Sequence, residues 1–88
     1  MLRIAIVDDE EEQRERIESY LQRFAREQKR EIATELYCNG FDFLSVFDQR
    51  YDAVFLDIQM PDMNGIKVAE EIREVDQRVK IVFITNLG

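Results

Sequence analysis

Short apolar segments alternate with longer amphipathic segments along this chain. Residues 2–7 (LRIAIV), 52–57 (DAVFLD) and 79–85 (VKIVFIT) are mostly apolar and rich in β-branched side chains, which predicts strands. Residues 31–37 (EIATELY) alternate apolar and polar side chains, which predicts a strand at the edge of a sheet. Four strands are therefore predicted.

The segments between these strands have the spacing of amphipathic helices. The first helix is predicted over about residues 10–29, Asn39 can cap a short second helix, and Asn64 with Gly65 opens a third. The residues expected to face the core are Ile17, Leu21, Phe24 and Ala25 in the first helix, Phe41, Leu44 and Phe47 in the second, and Val68, Ala69, Ile72 and Val75 in the third.

Strands that alternate with helices indicate right-handed crossovers and a parallel sheet covered on both faces, so the fold class is α/β. Ligands of such sheets bind at the carboxyl ends of the strands. Asp8 and Asp9 directly follow the first predicted strand, Asp57 ends the third, and Thr85 ends the fourth, with Asn86 next. We therefore expect three carboxylates and a hydroxyl to converge at one edge of the sheet.

Three neighbouring carboxylates repel one another, which raises their pKa values unless a cation offsets the charge. Mg2+ suits such a site, because it is usually held by one or two carboxylates together with water and phosphate oxygens. A carboxylate oxygen of Asp57 can then act as a nucleophile towards a phosphoryl group. Thr85, and the backbone N–H that follows it, could donate hydrogen bonds to that group.

Each feature also has a simpler explanation when it is taken alone. Asp8 and Asp9 could cap the first helix, and a proline and glycine near residues 61–65 could mark only a turn. Cys38 is expected to be a small buried side chain. A Mg2+-dependent phosphohydrolase usually carries D-x-D on one strand, which the adjacent Asp8 and Asp9 do not match. The coincidence of acidic residues at several strand ends favours the functional interpretation.

The amino-acid composition excludes several classes of function and of site. A chain of 88 residues is long enough for one domain, and its net charge of −7 argues against nucleic-acid binding by this segment. It contains no histidine, which excludes histidine-based metal sites and general bases, and its single cysteine excludes an internal disulfide. A reducing cytoplasm is the expected location. The first residues lack the features of a secretory signal, and no apolar segment approaches the roughly 20 residues of a membrane helix.

Three motifs together resemble the receiver domain of two-component response regulators. They are the acidic pair of VDDE, the loop LDIQMPDMNG with the form D-x-x-M-P-x-x-x-G, and the strand IVFIT. The segments FITN and GFDFL are similar to those of receivers that precede LytTR-type DNA-binding domains. The resemblance implies a flavodoxin-like (CheY-like) doubly wound sheet in three α/β/α layers, with strand order 2-1-3-4 in this chain.

The resemblance also implies a role for each matching residue. Asp57 would accept a phosphoryl group from a phosphohistidine of a sensor histidine kinase, and Thr85 would report it as the switch hydroxyl. Asp9 and Asp57 would bind Mg2+ directly, Asp8 would bind it through water, and Gln59 would add its main-chain carbonyl. The domain would then be a switch that modifies itself, not a turnover enzyme, and would regulate transcription.

The resemblance is incomplete at the C-terminal side. Family members continue with a fourth helix, a fifth strand bearing a lysine, and a fifth helix, so we interpret residues 1–88 as a partial receiver domain. DNA would be bound by a further, missing output domain. The competing hypothesis is a truncated, non-switching receiver that acts as an interaction module, with a homodimer formed through the exposed edge of the fourth strand.

Overall fold

The computed structural model describes residues 1–61 and 63–85 of the chain. Strands and helices alternate as the hydrophobic pattern predicts, with small differences at their ends. The elements are β1 (Leu2–Val7), α1 (Glu11–Gln28), β2 (Ile32–Tyr37), α2 (Gly40–Val46), β3 (Ala53–Asp57), α3 (Gly65–Val75) and β4 (Lys80–Ile84). Asn86, whose backbone N–H was expected to donate a hydrogen bond to a phosphoryl group, lies outside the described residues. Within the described residues, no helix has both the length and the apolar character needed to cross a membrane.

All four strands are parallel and follow the order β2-β1-β3-β4, which confirms the expected fold. β2 lies at one edge of this sheet, as its mixed polarity predicts. β1 and β3 are the central strands, and Val7 of β1 is in register with Leu56 of β3. The first residues beyond these two partners, Asp8 and Asp57, are therefore brought to the same edge of the sheet.

Side-chain caps begin the second and third helices as predicted. The Asn39 side chain accepts a hydrogen bond from the backbone N–H of Asp42 at 2.8 Å, and Asn64 accepts one from Lys67 at 3.0 Å. Each bond satisfies a backbone donor that the first turn of a helix would otherwise leave unpaired. These two caps fix where α2 and α3 start relative to the strands before them.

The core lies between the sheet and the helices α2 and α3. Phe43 of α2 is fully buried, and its ring packs against Tyr37, Phe47 and Tyr51 with centroid distances of 5.2–5.5 Å. The other fully buried apolar side chains are Ala5, Ile6, Val7, Val54, Leu56, Val68 and Ile72. The apolar runs of β1 and β3 are thus buried because helices cover the sheet.

Several residues expected to face the core are exposed instead. Phe41 is 55% exposed, because α2 turns Phe43 towards the sheet and residue 41 lies nearly opposite it on the helix. Val75 is the last residue of α3 and is 50% exposed, and Phe24 lies beside the buried Ala25 at the margin of the α1 face. Cys38 is exposed in the loop after β2, so the expectation of a buried thiol is wrong.

The remaining core expectations hold in full or in part. Ala25, Val68, Ala69 and Ile72 are buried, whereas Ile17, Leu21, Leu44 and Phe47 are half-buried. Leu44 and Phe47 still pack against the core cluster. The helix α2 is therefore present as predicted, but it is rotated so that Phe43, and not Phe41, is buried in the core.

Replacing Phe43 by alanine is expected to lower the free energy of unfolding by about 3–5 kcal/mol, because it removes a buried ring and leaves a cavity. The matched control is Phe41→Ala on the same helix, which removes an exposed ring and should cost less than about 1 kcal/mol. Urea denaturation followed by circular dichroism measures both. Equal losses for the two variants would contradict the assignment of Phe43 as the anchor of α2.

Candidate metal centre

Three carboxylates meet at the carboxyl edge of the two central strands. Asp8 follows β1, Asp9 comes next, and Asp57 is the last residue of β3. Each offers one oxygen atom, and these three atoms all lie within 4.8 Å of one another. Asp8 is fully buried and Asp57 is 5% exposed, whereas Asp9 is exposed to solvent. The cluster is thus a partly buried group of hard oxygen donors that opens to solvent on the Asp9 side.

One carboxylate oxygen of Asp8 accepts a hydrogen bond, and the other has no partner among the described residues. Its Oδ1 accepts a hydrogen bond from the backbone N–H of Glu10 at 2.9 Å, and its own N–H donates to the Tyr37 carbonyl at 3.0 Å. Within the described residues, Asp8 Oδ2 is buried and has no hydrogen-bond partner. An unpaired buried acceptor costs about 1–3 kcal/mol, and more when it is charged. A cation at this edge would relieve that cost.

The same contacts test the simpler explanation of the acidic pair. Glu10 is the N-cap of α1, and its side chain makes no capping hydrogen bond. Asp8 closes the turn before α1 through Glu10, which uses only Oδ1. A role at the start of α1 therefore explains the position of Asp8 Oδ1. It explains neither the buried Oδ2 of Asp8 nor the position of Asp57.

Asp57 is the carboxylate whose protonation is most affected by the site. Burial raises the pKa of Asp57 to about 6, and the neighbouring charges of Asp8 and Asp9 act in the same direction. The hydrogen bond from the Gln59 backbone N–H to Asp57 Oδ1, at 3.1 Å, opposes this shift. Burial also raises the pKa of Asp8. Both shifts mark a site where negative charge is unfavourable until a cation enters.

The loop between β3 and α3 is shaped by close backbone contact. The N–H of Gly65 donates to the Ile58 carbonyl at 2.9 Å, and a Cβ atom at Gly65 would overlap the carbonyl oxygen of Asp57. Met60, which is 7% exposed, anchors the middle of the loop in the core. Gly65 is required here because the start of α3 presses directly on the residue that carries the site carboxylate.

The other residues predicted for the site lie near it without completing it. Asp57 is in register with Ile84 of β4, so Thr85 follows at the same edge of the sheet, where it is exposed. Gln59 is also exposed, and its side chain makes no described hydrogen bond. The switch role of Thr85 and the ligand role of the Gln59 carbonyl stay predictions.

One residue in contact with the site escaped the sequence analysis. Arg14 of α1 donates a hydrogen bond from Nη1 to the main-chain carbonyl of Asp8 at 2.6 Å. Arg14 was not among the site residues expected from the sequence. The spacing in the sequence could have indicated this contact. Arg14 lies one turn into α1, where a long side chain can reach back to the residues that precede the helix.

Comparisons with known proteins show the family to which the chain belongs. The family model described as the response regulator receiver domain matches residues 4–88, so the chain belongs to the response regulator receiver family. Among curated proteins, it is 34% identical over 85 residues to "Sensory transduction protein LytT" of Bacillus cereus. That match covers 97% of this chain and 33% of LytT, so the chain spans about a third of the relative's length.

Solved structures give the same family. The response regulator TrrA of Thermotoga maritima, in complex with Mg(2+)-BeF, matches with a TM-score of 0.83 and 37% identity, covering 97% of this chain and 70% of TrrA. TrrA in complex with the histidine kinase ThkA matches with a TM-score of 0.75 and 40% identity, covering 100% of this chain and 72% of that one. Both relatives have the fold described above.

We expect Asp57→Asn to stabilise the metal-free protein at pH 7 by about 2 kcal/mol. With a folded pKa of about 6 against an ordinary value of 3.8, the native state binds the proton more tightly than the unfolded state does. Stability from this group is therefore present at low pH and is lost as the pH rises from about 4 to about 6. The advantage of the variant should disappear below about pH 4.

Urea unfolding in EDTA across this pH range measures the effect. Glu70→Gln is the matched control, because it removes one exposed negative charge from α3. A wild-type protein whose stability rises with pH relative to Asp57→Asn would contradict the burial of Asp57 as the dominant cause.

Proposed function

We propose that residues 1–88 form part of a receiver domain in which Asp57 accepts a phosphoryl group in a Mg2+-dependent reaction. The observation that carries the proposal is the position of Asp57 at the carboxyl end of β3, with one oxygen within 4.8 Å of oxygens from Asp8 and Asp9. Asp8 Oδ2 is buried and has no hydrogen-bond partner within the described residues, which supports a positive charge at this site.

The donor set fits Mg2+, which prefers carboxylate, carbonyl and water oxygens. Asp9 and Asp57 would bind the ion directly, Asp8 would act through water, and the main-chain carbonyl of Gln59 would complete the protein ligands. When bound, Mg2+ offsets the charge of the carboxylates and of the phosphoryl oxygens. TrrA, a relative with 37% identity, was crystallised with Mg(2+)-BeF, which supports this assignment.

Asp57 would act as the nucleophile. The described hydrogen bond of its side chain engages Oδ1 and orients the carboxylate, so that Oδ2 can attack phosphorus. A P–O bond to Asp57 forms as the P–N bond of a phosphohistidine breaks, and the electron pair stays on the imidazole nitrogen, which takes up a proton. Residues 1–88 contain no histidine, so the phosphohistidine lies outside this segment.

The partner that fits this chemistry is a sensor histidine kinase, and the complex of TrrA with ThkA supports that choice. Thr85 would bond the phosphoryl oxygen and report the modification, and Asn86 could add its backbone N–H. The domain would be a switch in the cytoplasm and not a turnover enzyme. Its output would be transcription, with DNA bound by another domain and not by this acidic segment.

Incubation with MgCl2 and a small phosphodonor should add one phosphoryl group to the protein, as measured by intact-mass spectrometry. Asp57→Asn should abolish the gain, because the nucleophilic oxygen is removed. Asp52→Asn is the matched control at the opposite end of β3, and it should be phosphorylated like the wild type. No mass gain on the wild type, or an equal gain on Asp57→Asn, would contradict the proposal.

A second candidate function is an interaction module that pairs through β4. In the described part of the chain, β4 pairs with β3 alone, and Val82 and Phe83 are 40% and 44% exposed. An apolar strand edge of this kind invites pairing with a second copy of the chain. The switch proposal is favoured, because a dimerisation module would not need the acidic cluster.

Analytical ultracentrifugation tests this second candidate. A dimer through β4 should form as the concentration rises, and Phe83→Glu should shift it to the monomer because it places a charge on the apolar edge. Phe41→Glu is the matched control, since Phe41 is exposed on α2, away from β4. A wild-type protein that stays monomeric at high concentration would rule the dimer out.

A further inference from the structure

Arg14 reaches back from α1 to the loop that carries two of the three site carboxylates. Its backbone N–H donates to Glu10 at 3.0 Å, which places it one turn into the helix. Its Nη1 donates to the Asp8 carbonyl at 2.6 Å, and the side chain is half-buried.

This contact completes the set of restraints on the loop between β1 and α1. The N–H of Asp8 is held by Tyr37, and Asp8 Oδ1 is held by the N–H of Glu10. The carbonyl of Asp8 belongs to the peptide plane that leads to Asp9, and its described partner is Arg14. Asp9 is exposed to solvent. The Arg14 contact therefore adds a restraint at the start of the peptide that leads to Asp9.

Arg14 can affect the affinity for a cation in two ways, through its charge and through its hydrogen bond to the Asp8 carbonyl. A guanidinium near the cluster repels a divalent cation and so lowers its affinity. A guanidinium that holds the Asp8–Asp9 peptide in place raises the affinity, because the carboxylates need no reorganisation when the ion binds. The two effects have opposite signs, so removing the side chain distinguishes them.

We propose that Arg14 is a positioning residue for the divalent-cation site, which it supports by holding the Asp8 carbonyl so that Asp8 and Asp9 face Asp57. The proposal rests on the proposed function, in that it takes Mg2+ as the ion of this site. It assigns Arg14 no contact with the metal or with the phosphoryl group.

The test is the dissociation constant for Mg2+, measured by isothermal titration calorimetry on the full-length chain without any phosphodonor. Arg14→Ala is expected to weaken Mg2+ binding by about ten- to a hundredfold, which is the usual effect of losing a residue that orients metal ligands. Arg14→Lys keeps the charge and one donor, and it should recover part of the loss.

Arg16→Ala is the matched control. It removes the same charge from the same helix, and Arg16 is exposed and makes no described hydrogen bond. Its Mg2+ affinity should stay within about twofold of the wild type, or rise slightly, as expected for the loss of a distant positive charge. Urea unfolding in EDTA, measured for every variant, shows whether the variant is folded before Mg2+ is added.

Each outcome separates the two proposals. Wild-type protein that does not bind Mg2+ overturns the metal site and the proposed function. Wild-type binding with equal or tighter binding by Arg14→Ala overturns the positioning role alone. If Arg14→Ala does not fold in EDTA, Arg14→Gln takes its place, since a shorter side chain cannot span the same distance. A folded Arg14→Gln with wild-type affinity would equally overturn the role of Arg14.

Discussion

The parallel pairing of β1 with β3 is the constraint on which the rest of this structure depends. Ile4 to Val7 of β1 are buried, as are Val54 and Leu56 of β3, and the register of the two strands places Val7 beside Leu56. Because of this register, the next residues, Asp8 and Asp57, lie side by side at the edge of the sheet. Burial of apolar side chains, which is favourable, thus forces an unfavourable gathering of carboxylates at one edge.

The surrounding structure is organised to hold this unfavourable group in place. Gly65 allows α3 to begin against the backbone of Asp57, and Met60 anchors the intervening loop in the core. Arg14 holds the loop on the other side of the site. Both flanks of the acidic group are therefore restrained by contacts within the protein.

The opposite end of the sheet contains a second group of charges and illustrates the difference between a structural and a functional cluster. Arg3 donates to Glu35 at 2.7 Å, and the hydroxyl of Tyr51 donates to the same carboxylate at 2.7 Å. These partners hold the pKa of Glu35 below its ordinary value, with the Arg3 hydrogen bond as the main cause. Glu35 has its partners within the protein, whereas Asp8 has a buried oxygen with no partner among the residues that the structure describes.

The sequence by itself determined the alternation of strands and helices, the caps at Asn39 and Asn64, and the acidic residues at the ends of β1 and β3. These features follow from local rules, because strand periodicity, capping and turn chemistry depend on residues a few positions apart. The family motifs added the strand order, since no local pattern specifies which strand lies beside which.

Only the tertiary structure decided how the elements are turned and what long side chains reach. α2 is too short for its periodicity to specify its rotation, so packing against the sheet selected Phe43 over Phe41. Cys38 was misjudged and Arg14 was missed for a related reason. The exposure of a loop residue and the reach of a guanidinium depend on neighbours far away in the chain, and those neighbours are placed only when the core has formed.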